Sequence, residues 1–383
     1  MVILDDARVL VVEDNELNRI FACAVLESMG VTQVECAVNG REGLEKLGGF
    51  APDLVLLDLM MPIMDGQEFL RHLRADPRYR DLPVLVVSAV DSQSMRNALF
   101  AVGASDYVSK PIDRHELVAR VGVHLRNHLL LTDLRRYRDR LAHDLATARG
   151  MQNALLPGAA QLAQAQSRFG LSIAAMFRPS AELGGDLWGL EPVDENRLAV
   201  FTVDFTGHGV AASINTFRMH LLLTDMAEEM GDPAACLTRI NAALVPLLPR
   251  GQFATMTLAV IDRQTATLAL ANAGGPAPIL AVEGEVQRLT GRGLPLGISS
   301  NPVFANSVVA FPPGSQLSLY SDALVDAADA SAGDLIGEDG VLEMVRGALC
   351  DDPAGMVDGI MAAFAARSPG EAEDDVTWVQ VLG

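Results

Sequence analysis

The sequence is poor in cysteine and has no long hydrophobic run. Its four cysteines, Cys23, Cys36, Cys236 and Cys350, are not spaced as C-x-x-C and lie in apolar stretches. We therefore expect small core residues rather than disulfides or a zinc site. No uninterrupted apolar run could span a bilayer, and the first six residues carry no positively charged leader. These absences predict a soluble, cytoplasmic protein without membrane insertion.

Basic residues are also scarce. The chain has 29 Lys and Arg against 49 Asp and Glu, which gives a formal net charge of −20. An acidic chain without a basic face argues against nucleic acid as a partner. The surplus of carboxylates is compatible with binding of divalent cations, although most of them must be solvated surface. At 383 residues the chain is long enough for two or three domains.

The first 125 residues alternate short apolar runs with longer stretches of helical periodicity. The runs are RVLVV (8–12), DLVLLD (53–58), PVLVVSA (83–89) and DYVSK (106–110). Near-continuous Val and Leu runs separated by helices are typical of strands buried on both faces. We therefore predict an α/β fold with a doubly wound parallel sheet.

Polar residues follow these predicted strands at the end where chemistry collects in such sheets. Glu13 and Asp14 follow the run at 8–12, Asp58 closes the run at 53–58, Ser88 lies near the end of the run at 83–89 and Lys110 ends the run at 106–110. Three carboxylates on one rim would repel one another unless they held a hard cation such as Mg²⁺. A lysine beside them supplies a compact positive charge for a phosphate oxygen.

With the tight loop LLDLMMPIMDG around Asp58, this segment resembles the receiver domain of two-component response regulators. The resemblance implies that Asp58 accepts a phosphoryl group from a sensor histidine kinase or phosphotransfer protein. It implies that Glu13, Asp14 and Asp58 hold Mg²⁺ and that Lys110 contacts the phosphoryl group. Ser88 and Tyr107 match the positions that switch with phosphorylation.

Residues 126–157 are predicted to form a helical linker. No proline occurs between Asp113 and Pro157, and apolar residues recur at alternating spacings of four and three. Such a helix buries its stripe in a homodimer coiled coil or against one of the domains, and the residues alone leave both possibilities open. The stretch ARGMQNALLP (148–157) is similar to the signal-transmitting helix of bacterial regulators of stress and sporulation sigma factors, which favours the dimer.

Residues 158–383 are richer in short strands. We expect strands at 171–177, 198–204, 254–262, 266–272, 315–320 and 376–382, and helices at 208–229, 233–248, 340–349 and 353–366. Strands joined by antiparallel-style turns, with helices inserted in pairs, predict an α+β layered β-sandwich.

Four separate segments of this region place an aspartate at a strand boundary beside small residues. Asp186 follows Gly-Gly, Asp204 ends the apolar run FTVD, Asp322 follows LSLYS and Asp374 lies in EDDVTW. Each aspartate alone could be a turn or helix-cap residue. Together they resemble the metal-dependent phosphatases of the protein phosphatase 2C superfamily, in the branch of sporulation and stress phosphatases (PPM type, SpoIIE-like), over all of 158–383.

This resemblance implies that Asp204 bridges two Mg²⁺ or Mn²⁺ ions, with the backbone carbonyl of Phe205 and the side chains of Asp186, Asp322 and Asp374 as further ligands. The sequence departs from the family pattern at three positions, where it has Ala323, Gly275 and Gly189. None of them removes an expected ligand, but they put the strength of catalysis in doubt. His208, in the Gly-His-Gly loop after Asp204, is expected to pack the loop rather than to act as an acid.

These resemblances together predict a response regulator in which phosphorylation of Asp58 controls a phosphoserine/phosphothreonine protein phosphatase. The expected substrate is a phosphorylated anti-sigma-factor antagonist in a stress-response pathway of partner switching. The alternative is a catalytically weak or inactive phosphatase-like adaptor that acts by protein binding. Retention of all four aspartates favours the enzyme.

Overall fold

The computed structural model describes residues 5–89, 93–207, 209–291, 293–330, 333–370 and 372–383. A boundary between Ala142 and His143 divides the chain into two compact units. This boundary lies inside a helix, whereas our predicted boundaries lie at 125 and 157. We describe each unit by itself.

The first unit contains a five-stranded sheet in which all neighbouring strands are parallel and the order is β2-β1-β3-β4-β5. The strands are β1 (Arg8–Val12), β2 (Gln33–Ala37), β3 (Leu54–Asp58), β4 (Val84–Ser88) and β5 (Asp106–Ser109). The helices are α1 (Glu16–Ser28), α2 (Gly40–Phe50), α3 (Gly66–Ala75), α4 (Gln93–Val102) and α5 (Arg114–Asn153), with a 3₁₀ turn at Pro77–Tyr79. The predicted doubly wound sheet is confirmed.

Burial explains why the apolar runs form this sheet. Every residue of β3 and β4 is buried, so both faces of the central strands pack against helices. One core lies around Leu10, Leu57 and Phe69, and the other lies around Leu56 and Leu117. The sheet thus holds the carboxyl ends of β1 and β3 side by side.

Helix α5 is continuous over 40 residues and contains most of the predicted linker. Its first turns are buried against the sheet through Leu117, Val121 and Leu125. Farther along, the apolar positions Leu134 and Tyr137 are 64% and 66% exposed within this single chain. The coiled-coil homodimer stays a prediction.

The second unit contains two five-stranded antiparallel sheets, with the orders β13-β10-β9-β8-β7 and β12-β11-β14-β15-β6. Its strands are β6 (Ser172–Arg178), β7 (Asp186–Pro192), β8 (Arg197–Phe205), β9 (Ala254–Asp262), β10 (Thr267–Ala273), β11 (Ile279–Val282), β12 (Glu285–Arg288), β13 (Ser307–Ala310), β14 (Gln316–Tyr320) and β15 (Val376–Leu382). Its helices are α6 (Ala159–Phe169), α7 (Val210–Asp225), α8 (Pro233–Leu244), α9 (Ala323–Asp326), α10 (Gly337–Ala348) and α11 (Pro353–Arg367), with a 3₁₀ turn at Ala227–Gly231.

The predicted β-sandwich is confirmed. Its central core joins the two sheets through residues such as Leu198, Ile261, Leu317 and Val379. Separate cores lie on the outer face of each sheet, one under α7 and α8 and the other under α10 and α11. Helices therefore cover both outer faces.

Four strands and two helices in this unit lack a counterpart in the sequence prediction. Strand β7 contains Gly189 and ends at Pro192, and β11 to β13 have only four residues each, so none carries a strong periodic signal. The predicted helix at 208–229 ends at Asp225 and is followed by the 3₁₀ turn.

The expectation that all four cysteines are core residues is wrong. Cys236 is buried, Cys23 and Cys36 are partly exposed, and Cys350 is exposed. Apolar sequence neighbours did not indicate burial because Cys350 lies just after the end of α10, outside the helical stripe. Among the described residues, no helix combines the length and hydropathy that crossing a membrane requires.

The loop after β3 depends on Gly66. A Cβ at this position would collide with the carbonyl oxygen of Asp58 and lie 2.9 Å from the Cα of Leu59. We therefore expect Gly66→Ala to lower the free energy of unfolding of the first unit by about 1–3 kcal/mol, as overpacking does. The matched control is Gly49→Ala in α2, where a Cβ meets nothing within 4 Å. Urea unfolding of both variants tests this, and equal stability would contradict it.

Candidate functional site

The first unit has a rim of acidic residues at the carboxyl ends of β1 and β3. Glu13 and Asp58 are each only 5% exposed, while Asp14 is exposed. Oxygens of Glu13, Asp14 and Asp58 all lie within 4.8 Å of one another. Parallel pairing of β1 with β3 produces this proximity. Three carboxylate oxygens in this arrangement suit a hard divalent cation such as Mg²⁺.

Lys110 lies against two of these carboxylates. Its Nζ is 2.8 Å from Glu13 Oε2 and 3.0 Å from Asp58 Oδ1. Burial alone would lower the pKa of Lys110, but its hydrogen bonds to Glu13 and Asp58 raise the pKa above its usual value. Burial raises the pKa of Asp58, and the hydrogen bond from Lys110 opposes that rise. The lysine therefore stays charged and partly compensates the acidic rim.

Ser88 and Tyr107 lie on the adjoining strands β4 and β5. Ser88 is buried at the end of β4, and the Tyr107 hydroxyl donates a 2.8 Å hydrogen bond to the Ser88 carbonyl oxygen. The Tyr107 side chain is thus held inward in this structure. The five strands bring all six residues predicted for this site to the carboxyl edge of one sheet.

In the second unit, Asp186 and Asp204 face each other across β7 and β8, because these residues are direct partners in the antiparallel register. Asp186 is 1% exposed and accepts a short hydrogen bond from the Thr377 hydroxyl at Oδ2, while its Oδ1 has no hydrogen-bond partner among the described residues. Burial, with the charge of Asp204 beside it, raises the pKa of Asp186 well above its usual range. A buried carboxylate oxygen without a donor is costly unless something positive approaches it.

Asp322 and Asp374 complete this acidic neighbourhood. Burial and the nearby charge of Asp322 raise the pKa of Asp204 to about 7, with Asp374 adding to the rise. Burial and the charge of Asp374 likewise raise the pKa of Asp322. The structure thus brings together the four predicted aspartates. Across the described part of this unit, no three carboxylates approach one another as closely as Glu13, Asp14 and Asp58 do.

Phe205 has its side chain in the core, 1% exposed, and its N–H donates to the carbonyl oxygen of Gly185 at 3.2 Å. A Cβ at Gly185 would lie 2.8 Å from the Phe205 carbonyl oxygen, so the residue before Asp186 must be glycine. Gly207 and Gly209, with φ of 88° and 80°, turn the chain from β8 into α7. His208 between them lies outside the described residues.

Sequence reasoning missed two residues that position this site. Asp375 is 2% exposed and accepts hydrogen bonds from the Ser180 N–H at 2.7 Å and from the Gly185 N–H. Thr377 anchors Asp186. Positions 375 and 377 lie on either side of Val376, the first residue of β15, and so share one face, but the sequence does not show that this face meets the Gly185 loop.

The donor set of the second unit fits divalent cations. Asp186 is buried, Asp204 and Asp322 are partly buried, and Asp374 is exposed. Among the described residues, no lysine or arginine is a main influence on the pKa values of Asp186, Asp204 and Asp322. Hard cations that prefer oxygen ligands would supply a compensating positive charge and would contact the unpartnered Oδ1 of Asp186.

The three departures from the expected motif leave this site intact. A Cβ at Gly189 would collide with the Phe201 ring, so this chain has room there only for glycine. Ala323 begins α9, where alanine is the most favourable residue. Gly275 exchanges hydrogen bonds with Asn272, 2.8 Å and 3.1 Å long, and lines a cavity of about 260 Å³ beside Asp322.

Comparison with known families divides the chain in the same way. Residues 9–122 match the model described as Response regulator receiver domain, and residues 194–381 match the model described as Stage II sporulation protein E (SpoIIE). Among solved structures, the SiaA-PP2C domain of Pseudomonas aeruginosa has a TM-score of 0.57 at 24% identity, covering 64% of this chain and 98% of that one. That likeness supports the fold.

Two curated relatives show different extents of similarity. The Regulator of RpoS of Escherichia coli (strain K12) is 26% identical over 310 residues, which are 77% of this chain and 88% of that protein. Hybrid signal transduction histidine kinase D of Dictyostelium discoideum is 43% identical over 114 residues, which are 30% of this chain and 7% of the kinase. The chain covers from 7% to 50% of the relatives that match only its receiver segment.

The raised pKa of Asp204 predicts a pH-dependent stability in metal-free protein. The unfolded carboxyl ionises near its usual pKa of 3.8, whereas the folded one keeps its proton up to about 7. Between these values the unfolded state binds fewer protons, so stability falls as pH rises and levels off above 7. Asp204→Asn removes this contribution, and its stability relative to the unsubstituted protein should therefore be higher at pH 7.5 than at pH 4.5.

Urea unfolding in excess chelator measures this difference. The control is Asp358→Asn, which alters an exposed aspartate of the same unit. An equal difference in the free energy of unfolding between the Asp204→Asn variant and the unsubstituted protein at both pH values would contradict the prediction. It would mean that burial and the neighbouring carboxylates do not raise the pKa of Asp204.

Proposed function

Because the chain joins a response regulator receiver domain to a SpoIIE domain of the PP2C type, we propose that it is a regulated phosphatase. Phosphorylation of Asp58 controls metal-dependent hydrolysis of phosphoserine or phosphothreonine on a protein substrate. The observation that carries this proposal is the gathering of Asp186, Asp204, Asp322 and Asp374, whose carboxylates raise the pKa values of Asp186, Asp204 and Asp322.

At the phosphatase site, Asp204 would contact both of two Mg²⁺ or Mn²⁺ ions, with Asp186, Asp322, Asp374 and the Phe205 carbonyl as the other ligands. Such ions lower the pKa of a bound water and neutralise charge on the transferring phosphoryl group. The chain itself orients the ligands. Thr377 holds Asp186, and Asp375 fixes the Gly185 backbone beside it. Hydrogen bonds from residues behind the ligands keep the ligands oriented before a metal binds.

At the receiver site, Asp58 would take the phosphoryl group, with Mg²⁺ held by Glu13, Asp14 and Asp58. Lys110 already lies 3.0 Å from Asp58 Oδ1 and would follow a phosphoryl oxygen with little movement. The hydrogen bond from Tyr107 to the Ser88 carbonyl is an interaction that phosphorylation can strengthen or break. The state of Asp58 is thereby coupled to β4 and β5.

The end of α5 contacts the segment that leads into the phosphatase site. Gln152 is 1% exposed, its Nε2 donates to the Gly184 carbonyl oxygen at 2.7 Å and its Oε1 accepts from the Gly184 N–H at 3.1 Å. Arg149 donates to the carbonyl oxygens of Ala181 and Glu182 at 2.8 and 2.9 Å. Residues 181–185 run directly into Asp186, so a change at this end of α5 reaches a proposed metal ligand.

Regulation requires that the phosphorylated and unphosphorylated receiver favour different positions of α5. If phosphorylation stabilised both positions equally, the equilibrium between them would not change. The first turns of α5 pack in the receiver core at Leu117, and the last turns contact Gly184, so residues of this one helix belong to both units. We propose that phosphorylation of Asp58 acts through this helix.

Partners follow from the two halves of the proposal. A sensor histidine kinase or phosphotransfer protein would supply the phosphoryl group, and a phosphorylated anti-sigma-factor antagonist in a stress pathway would be the substrate. The exposed apolar positions of α5, including Leu134 and Tyr137, support a homodimeric coiled coil. We propose that the protein acts in the cytoplasm without a nucleic-acid or membrane partner, and its formal net charge of −20 supports this.

A second candidate function is that of an adaptor that acts by phosphorylation-dependent protein binding. The observation that favours it is that, among the described residues of the second unit, no three carboxylates offer oxygens within 4.8 Å of one another. The retained aspartates favour the enzyme. Substrate turnover distinguishes the two functions.

The first prediction from this proposal concerns turnover. With Mn²⁺ or Mg²⁺ present, the full chain should release phosphate from a phosphoserine protein, and Asp204→Asn should lower kcat at least about 100-fold, because it removes the ligand shared by both ions. The control Asp358→Asn should leave kcat unchanged. Turnover that persists in excess chelator would contradict the metal-dependent mechanism, and no turnover of a phosphoserine or a phosphothreonine protein would favour the adaptor.

The second prediction concerns control through α5. Beryllofluoride, which mimics phosphorylated Asp58, should change the rate of phosphate release by the unsubstituted protein. Gln152→Ala should abolish most of that change, since the side chain that binds Gly184 is gone. Asn153→Ala alters the exposed neighbouring residue and should preserve the response. A full response in the Gln152→Ala variant would show that the signal does not pass through this contact.

A further inference from the structure

Two cysteines of the first unit lie next to each other although they are thirteen positions apart. Cys23 lies on α1 and Cys36 on β2, and their Sγ atoms are 3.3 Å apart. Both are free thiols and both are partly exposed. A disulfide has an S–S length of about 2.05 Å. The two sulfurs therefore need to approach by only a little more than an ångström, and solvent can reach them.

The surroundings of the pair make the two thiols unequal. The hydrogen bond from Cys23 lowers the pKa of Cys36 to about 7, burial opposes this, and the charges of Arg19 and Lys46 lower it further. The same hydrogen bond, with burial, raises the pKa of Cys23. Lys46 Nζ also donates a hydrogen bond to the Cys36 carbonyl oxygen, and this nearby positive charge favours the thiolate on Cys36, with the shared proton on Cys23. Such asymmetry is typical of an attacking and a resolving cysteine.

We propose that Cys23 and Cys36 are a redox modification site, a dithiol that hydrogen peroxide converts into an intramolecular disulfide bond between α1 and β2. This inference is independent of the proposed phosphatase activity. In a reducing compartment such a bond is a transient, regulatory one rather than a structural one.

The reaction proceeds in two balanced steps. The Cys36 thiolate attacks one oxygen of the peroxide, the O–O bond breaks, and the departing hydroxide takes up a proton as water, leaving a sulfenic acid on Cys36. The Cys23 sulfur then attacks the Cys36 sulfur, the S–O bond breaks, and hydroxide leaves with the Cys23 proton as a second water. Two thiols are oxidised and one peroxide is reduced, and a dithiol such as dithiothreitol reverses the change.

The position of the pair suggests what the bond would constrain. Cys36 pairs with Val11 in the sheet, and the next residue, Ala37, accepts a 3.0 Å hydrogen bond from the Glu13 N–H. On α1, one turn before Cys23, Arg19 donates to the carbonyl oxygens of Glu13 and Asp14 at 2.9 and 2.8 Å. The disulfide would therefore tie together the two elements that hold the backbone of the acidic rim.

The test uses the full chain, reduced and then freed of reductant. On treatment with a few equivalents of hydrogen peroxide, non-reducing peptide mapping by mass spectrometry should show a Cys23–Cys36 linked peptide that dithiothreitol removes. The oxidised chain should also unfold at a higher temperature than the reduced one, because the bond constrains the unfolded chain. Cys350→Ser removes the exposed thiol at another position and should give the same linked peptide.

Two further variants separate the roles of the thiols. Cys23→Ser should accumulate a sulfenic acid on Cys36 that dimedone traps, whereas Cys36→Ser should leave Cys23 largely unreacted. The proposal would be overturned if peroxide oxidised Cys36 of the unsubstituted protein only to sulfinic acid, or if Cys350 reacted while the pair stayed reduced. A linked peptide joining two chains would likewise exclude an intramolecular site.

Discussion

Repulsion among carboxylates held out of water is the constraint on which both sites depend. In the first unit the charge of Lys110 reduces this repulsion, because its Nζ lies 2.8 Å from Glu13 Oε2 and 3.0 Å from Asp58 Oδ1. Among the described residues of the second unit, no lysine or arginine is a main influence on Asp186, Asp204 or Asp322, and the pKa values of these aspartates rise instead. A cluster of this kind costs stability in the free protein.

The strand pairings of the two units hold these charged residues close to one another. Parallel pairing of β1 with β3 brings Glu13 and Asp58 to one rim, and antiparallel pairing of β7 with β8 sets Asp186 opposite Asp204. Hydrogen bonds from Thr377 and to Asp375 hold the second site from a third strand. Helix α5 ends on the segment that precedes Asp186, where Gln152 binds the Gly184 backbone.

Much of this could be predicted from the sequence, because burial on both faces forces the Val and Leu runs of β3 and β4 to be continuous, and carboxylates at strand ends are conspicuous. What the sequence did not reveal depends on pairing between distant segments. Strand β7 has no alternating pattern, and the position of Asp375 becomes meaningful only when β15 meets the Gly185 loop. The closeness of Cys23 to Cys36 follows from how α1 packs on the edge strand β2, which periodicity does not encode.

The central claim is that the aspartates of the second unit form a divalent-metal site distinct from the acidic rim of the receiver. Calorimetric titration of the full chain with Mn²⁺ tests it most directly, because it counts sites without requiring the right substrate. We predict three ions per chain, of which Asp204→Asn abolishes two and Asp58→Asn weakens the third. A single ion that Asp58→Asn removes and Asp204→Asn leaves unchanged would contradict the account and leave the second unit as a binding module.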